Sequence, residues 1–100
     1  MILARTVFQA KFGKAADVVA FFKAEGESMG QEMLQALQAR ILTDISGPFD
    51  TVVLETTHES LAAYEAFRTA LFAQQAESGQ MSALNELVVS GRNEYYTIES

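Results

Sequence analysis

Few residues in this chain could do chemistry: one histidine, His58, three tyrosines, Tyr64, Tyr95 and Tyr96, and no cysteine. His58 is the only side chain whose ordinary titration spans neutral pH, which makes it the first candidate for a general base. It lies in Thr56-Thr57-His58-Glu59, where the S/T-x-x-E spacing of a capping box predicts that a helix begins. The positive end of a helix dipole disfavours a protonated imidazole there, so a solvent-exposed or capping role competes with catalysis. Tyr64 is the second catalytic candidate, able to orient or deprotonate a bound molecule. Phe8, Phe22, Met29, Tyr64 and Phe67 could line an apolar pocket that accepts a flat aromatic molecule, although the same residue types at helical spacing also build ordinary cores. Gly26 and Gly30 favour the pocket, since two glycines in one helix forfeit stability unless a close approach or an opening is wanted.

Other chemistries lack their residues. The sequence has no Gly-rich phosphate loop, no nucleophile elbow and no helical pair of metal-binding histidines. A single histidine and no thiolate argue against a transition-metal site, carboxylates alone would hold magnesium or calcium only weakly, and no metal or cofactor is expected. A net charge of −6 repels a phosphate backbone or an anionic membrane surface, so neither nucleic acid nor membrane is an expected partner. Neither a signal peptide nor an apolar run of the roughly 20 residues that span a membrane is evident, and a cytoplasmic location is the default expectation.

The elements that must position these residues follow from periodicity. Ile2 to Phe12 alternates, with Ile2, Ala4, Thr6, Phe8, Ala10 and Phe12 on the face expected to be buried under helices and Leu3, Arg5, Val7, Gln9 and Lys11 on the other. From Ala15, the residues Val18, Phe22, Glu25, Met29, Met33 and Leu37 recur at helical spacing. They predict a long first helix, bent, frayed or broken at Gly26 and Gly30. Ala39 to Ser46 and Thr51 to Thr57 read as strands joined by Gly47-Pro48-Phe49-Asp50, with Ser46 opposite Thr51. A second long helix is then predicted with Leu61, Tyr64, Phe67, Arg68, Leu71 and Phe72 on one side, running to about Gln75 and ended by Glu77-Ser78-Gly79. Met81, Leu84, Leu87 and Val88 suggest a short third helix before Gly91-Arg92-Asn93, and Tyr95 to Glu99 a final strand.

This order is β-α-β-β-α-β, and 100 residues without a linker correspond to one domain, residues 1–100. It predicts an α+β, ferredoxin-like fold with a four-stranded antiparallel sheet and helices on one face. The second sheet face would then carry Arg5, Val7, Arg40, Leu42, Asp44, Val53 and Glu55, too apolar to stay bare on a small monomer. A second copy packed on it would close two sheets into a two-fold barrel, with the balanced charges of Arg5, Arg40, Asp44 and Glu55 setting its register. Tyr95 and Tyr96 point to opposite faces, without an indication of which one faces the barrel.

The element order, the segment from Arg40 to Glu55 and the following Glu59-Ser60-Leu61-Ala62-Ala63-Tyr64 resemble the dimeric α+β barrel superfamily, most of all its NIPSNAP-like and antibiotic biosynthesis monooxygenase-like small bacterial members of unassigned function. The resemblance implies a homodimer with any ligand cavity between the sheet and helices of each subunit. Heme-degrading relatives use an asparagine, a tryptophan and a histidine; this chain has no tryptophan, and its first strand offers Thr6 and Gln9 but no asparagine. The leading expectation is therefore an uncharacterised homodimer binding a small hydrophobic or aromatic molecule. The alternatives are a cofactor-independent monooxygenase-like enzyme and a non-catalytic structural or metabolite-sensing dimer.

Overall fold

The computed structural model describes residues 1–78 and 81–99. Its elements are β1 (Ile2–Ala10), α1 (Ala15–Met29), α2 (Gln31–Ala36), β2 (Arg40–Thr43), β3 (Thr51–His58), α3 (Leu61–Ser78), α4 (Met81–Leu87) and β4 (Val88–Thr97). The four strands form one antiparallel sheet in the order β2-β3-β1-β4. This is the ferredoxin-like α+β fold, with β1 hydrogen-bonded on both edges. One sheet face meets the helices: Ala10, Val18, Val52 and Leu84 form a buried cluster, against which Phe8, Phe21, Phe22 and Ile41 pack.

Period-two alternation assigns the other residues. The register aligns Ile41, Leu54, Thr6 and Asn93 in one row across the helix-covered face. The row Arg40, Glu55, Arg5 and Glu94 crosses all four strands on the open face. Charge alternates along that row. Glu55 is only 5% exposed and accepts from Arg40 on one side and pairs with Arg5 at 3.0 Å on the other. Arg5 continues to Glu94 at 3.3 Å, and Arg92 also meets Glu94, at 3.0 Å.

Several elements differ from the sequence reading. β1 ends at Ala10, and Phe12, expected under the helices, is 85% exposed with its ring edge-on to Phe49. β2 pairs with β3 as Arg40↔Glu55 and Leu42↔Val53, two residues away from the expected register. Asp44 produces this shift: its carboxylate accepts the Thr51 amide at 3.0 Å while its own amide donates to the Thr51 carbonyl at 3.2 Å. The strands part there, leaving Ile45 fully exposed and Asp44 outside the charged row, where Glu94 stands instead. β4 begins at Val88, so Gly91-Arg92-Asn93 is strand and not loop. Gly91 suits it, since a β-carbon there would stand 3.4 Å from the Phe8 ring.

The expected break in the first helix falls at Gly30, whose φ of 93° and ψ of 151° are open to glycine alone. Gly26 stays helical and gives room to Leu34 of α2, whose methyl would lie 3.4 Å from an added β-carbon. The α3 start is also displaced. β3 runs through His58, and Ser60 is the cap, its hydroxyl accepting the Ala63 amide at 3.1 Å; no capping box forms at Thr56. α3 extends through Ser78; Gly79, expected at its end, lies outside the described residues.

The β2–β3 loop is tied to α1 through Asp50. Its carboxylate accepts the amides of Gly13 at 2.9 Å and Ala15 at 3.2 Å, capping from a distance a helix whose preceding Lys14 has no capping side chain. Replacing Asp50 by Ala is expected to lower stability by about 1–2 kcal/mol, the usual worth of a cap. Asp50→Asn, which tolerates the positive φ of 61° at this position, is expected to retain more than half of that stability. Urea denaturation of the three proteins checks both expectations.

Candidate functional site

The helix-covered face of the sheet is not filled. A cavity of about 580 Å³ lies between it and the helices. Its floor is the strand row described above, with Ala4, Thr6 and Phe8 of β1 beside Ile41, Leu54 and Thr56. α1 contributes Phe22, Glu25, Gly26 and Met29, and α3 contributes Tyr64, Phe67, Leu71 and Phe72. The Gly30 break turns α2 across this space, so Gln31 and Leu34 line it as well. A straight continuation of α1 would not place them there. A second hollow of about 550 Å³ beside α2 is lined by Leu3, Leu34 and Ala39 together with Gln31, Gln35, Gln38, Arg40 and Thr57, without any aromatic ring.

All five residues expected to line a pocket, Phe8, Phe22, Met29, Tyr64 and Phe67, border this cavity. Phe8 and Phe22 stack with ring centroids 5.1 Å apart, and Phe21 meets Phe22 edge-on at 5.2 Å, so one end of the cavity has an aromatic wall held by mutual packing. At the other end His58, Tyr64, Phe67 and Tyr95 form a second aromatic group, with Tyr64 at 5.1 Å from His58 and 5.4 Å from Tyr95. Tyr95 thus faces the helices, while Tyr96 lies on the open sheet face and donates to Glu94 at 3.2 Å. Polar atoms on the floor are limited: Thr6 donates to Asn93 at 3.0 Å across β1 and β4.

The two catalytic candidates have different settings. Tyr64 is buried and borders the cavity; burial first, and then the adjoining Tyr95 hydroxyl, raise its phenol above the ordinary value. It therefore stays protonated at neutral pH and can donate a hydrogen bond, but it is not a base. His58, expected to be exposed or capping, is 5% exposed because it ends β3 opposite Ile2 and is packed against Tyr64 and Phe67. One ring nitrogen, Nε2, lies 2.7 Å from the Thr56 hydroxyl. It is not among the residues that border the cavity, so it meets a bound molecule only by way of Tyr64. Burial lowers its pKa, favouring the neutral ring.

Glu25 is the residue that the sequence reading did not single out. It is the one charged member of the Val18, Phe22, Glu25, Met29 stripe on α1, and that placement was the available signal. Its Oε1 atom is buried without a hydrogen-bond partner. Among the described residues, no three histidine or carboxylate side chains converge to hold a metal ion. No helix among the described residues is long and apolar enough to cross a membrane.

Comparison with known proteins agrees with this architecture. A NIPSNAP family protein from Agrobacterium tumefaciens superposes with a TM-score of 0.78 at 18% identity, covering 96% of this chain and 90% of that one. A NIPSNAP domain protein from Burkholderia xenovorans gives 0.76 at 16% identity, covering 100% and 96%. The chain has the NIPSNAP fold. An antibiotic biosynthesis monooxygenase-like protein from Deinococcus radiodurans has the same fold, at a TM-score of 0.68 and 17% identity over 100% of this chain and 94% of that one. No protein-family model matches the sequence, and no curated protein does. At such identities the NIPSNAP likeness is one of backbone, and the cavity side chains have to be read from this chain alone.

The buried neutral His58 has a consequence for stability. Its folded pKa lies below the ordinary 6.5, so the unfolded chain takes up the proton first as pH falls. The stability that the neutral ring contributes is complete above pH 6.5 and is lost as pH falls from there through the folded value. Carboxylates add their own loss at lower pH, where Glu94, held below its usual range chiefly by its hydrogen bond with Arg92, becomes protonated. Thermal melting is expected to fall between pH 7.5 and 5.5 in the native protein and to change less in His58→Gln; equal slopes in the two would remove His58 as the cause.

Proposed function

We propose that this chain forms a homodimer whose subunits each bind a small, flat, hydrophobic molecule between sheet and helices. The observation that carries the reading is the cavity itself: about 580 Å³, open on one side, with walls that are mainly aromatic and aliphatic and charged side chains such as Lys23, Glu27 and Arg68 on its border. An apolar space of this size suits a one- or two-ring molecule, whose burial supplies the affinity while a few polar atoms orient it. Phe8, Phe22, Met29, Tyr64 and Phe67 form the walls in this reading, and Tyr64 donates the orienting hydrogen bond. Binding is favoured over catalysis because the protonated Tyr64 phenol cannot act as the base and His58 stands behind it. A cytoplasmic location belongs to the same proposal.

The dimer is supported by the open sheet face. Leu3, Leu42 and Tyr96 stand there beside the alternating charges, and Tyr96 is 48% exposed. A second copy packed on this face would cover the apolar rows and bury the paired ions, while most of the cavity lining stands on the other side of each sheet, Arg40 and Glu55 bordering both. Arg5, Val7, Arg40, Leu42, Val53 and Glu55 are the interface residues of this proposal. Asp44, engaged with Thr51, lies beside them.

Native mass spectrometry of gently purified protein is expected to report a dimer and, where ligand is retained, a reproducible added mass. Tyr64→Phe should weaken retention about tenfold, the worth of one hydrogen bond in an apolar site, with little change in melting temperature. Retention equal to the native protein would remove Tyr64 from the site. For the interface, Glu55→Ala should raise the dimer dissociation constant about tenfold or more, because it leaves Arg40 without its partner and Arg5 with Glu94 alone. If the face instead stays open to water, Arg40 and Arg5 are resolvated, and sedimentation equilibrium will show no change in association.

A further inference from the structure

Glu25 identifies the chemistry of the ligand more closely. α1 turns its apolar stripe towards the cavity, and within that stripe Val18, Phe22 and Met29 are the members that physical chemistry expects. A carboxylate in their line is unfavourable unless something offsets the loss of its water. Nothing among the described residues does. Oε1 of Glu25 is buried and meets no donor, and no lysine, arginine or histidine among the described residues forms an ion pair with it. The other charged side chains bordering the cavity from the helices, Lys23, Glu27 and Arg68, are exposed and hold positions at its rim. Arg68 is further occupied by the Phe72 ring, 4.9 Å below its guanidinium. From the sheet, Arg40, Glu55 and Arg92 also border the cavity, but Arg40 is paired with Glu55 and Arg92 with Glu94. Of the polar helix side chains on its border, Gln31 is exposed, and Glu25 alone has a buried oxygen without a donor.

We propose that the cavity takes a ligand with a protonated amine on a flat apolar body, the ammonium group donating to Glu25 Oε1. The inference rests on the cavity reading above and adds the headgroup. A carboxylate with one oxygen out of water gains most from a partner of opposite charge that also donates a hydrogen bond to that oxygen. A net charge of −6 draws cations towards the chain. An anionic ligand would meet the Glu25 carboxylate inside a low-dielectric space.

Three probes of one shape separate the possibilities at pH 7: 1-naphthylmethylamine, 1-naphthylmethanol and 1-naphthoic acid, titrated by calorimetry. The amine is expected to bind about tenfold or more tighter than the alcohol, the usual scale of a charge-assisted hydrogen bond. Glu25→Gln is expected to bring the amine to within about threefold of the alcohol and leave the alcohol unchanged, while Glu27→Gln at the rim preserves the difference. Alcohol binding as tight as amine binding in the native protein overturns the amine assignment and leaves the cavity reading standing. Tightest binding of the acid overturns it in favour of Arg68. Loss of the amine's advantage in Glu27→Gln as well as in Glu25→Gln reduces the effect to general attraction and also overturns it. If none of the three binds the native protein, the cavity reading fails together with the headgroup. The native comparison decides the sign even where a variant does not fold.

Discussion

The constraint on which the structure depends is that β1 is hydrogen-bonded along both edges, to β3 and β4, so its side chains divide strictly between two faces. Ala4, Thr6 and Phe8 become the floor of the cavity, while Arg5 and Val7 become the centre of the open face. A slip of one residue against β3 would put Arg5 under the helices and Phe8 in water. The charged row helps to prevent it. Glu55 meets Arg5 and Arg40 together, and in a slipped register its carboxylate would keep Arg40 and lose Arg5, which would be left under the helices without its partner.

The second determinant is the break at Gly30. The non-helical backbone of Gly30 ends α1 and starts α2, and Gln31, Leu34 and Leu37 beyond it border the cavity. Leu34 then packs where Gly26 lacks a side chain, and the two short helices together border the cavity. The two glycines have separate roles: Gly30 supplies a backbone conformation closed to other residues, and Gly26 supplies space. The stability they forgo in a helix is offset by a wall that neither α1 nor α2 could make alone.

Much of this was legible in the residues. The alternation from Ile2 to Ala10 and the β-branched run from Thr51 to Thr57 marked the central strands, and the apolar stripes marked α1 and α3. Because the β2–β3 pairing differed from the expectation by two residues and not one, every face assignment on Arg40, Leu42, Val53 and Glu55 survived the error. The five cavity residues were legible for a related reason, since large side chains on the inner faces of β1, α1 and α3 must converge wherever those faces meet. His58 was misread because its motif also fits a helix start. Pairing with Ile2 extended β3 by a residue and moved the cap to Ser60.

Local sequence determined the period of each element, the positions where only glycine or a capping side chain would serve, and therefore the fold class. These depend on interactions between neighbours in the chain, which a periodic pattern records. Only the tertiary structure decided that Asp50 caps α1, that Glu94 and not Asp44 completes the charged row, that Tyr95 faces the helices, and that one carboxylate oxygen of Glu25 is buried without a partner. Each of those depends on groups brought together from distant segments, where burial and hydrogen bonding are set by the packing of whole elements and leave no period in the sequence.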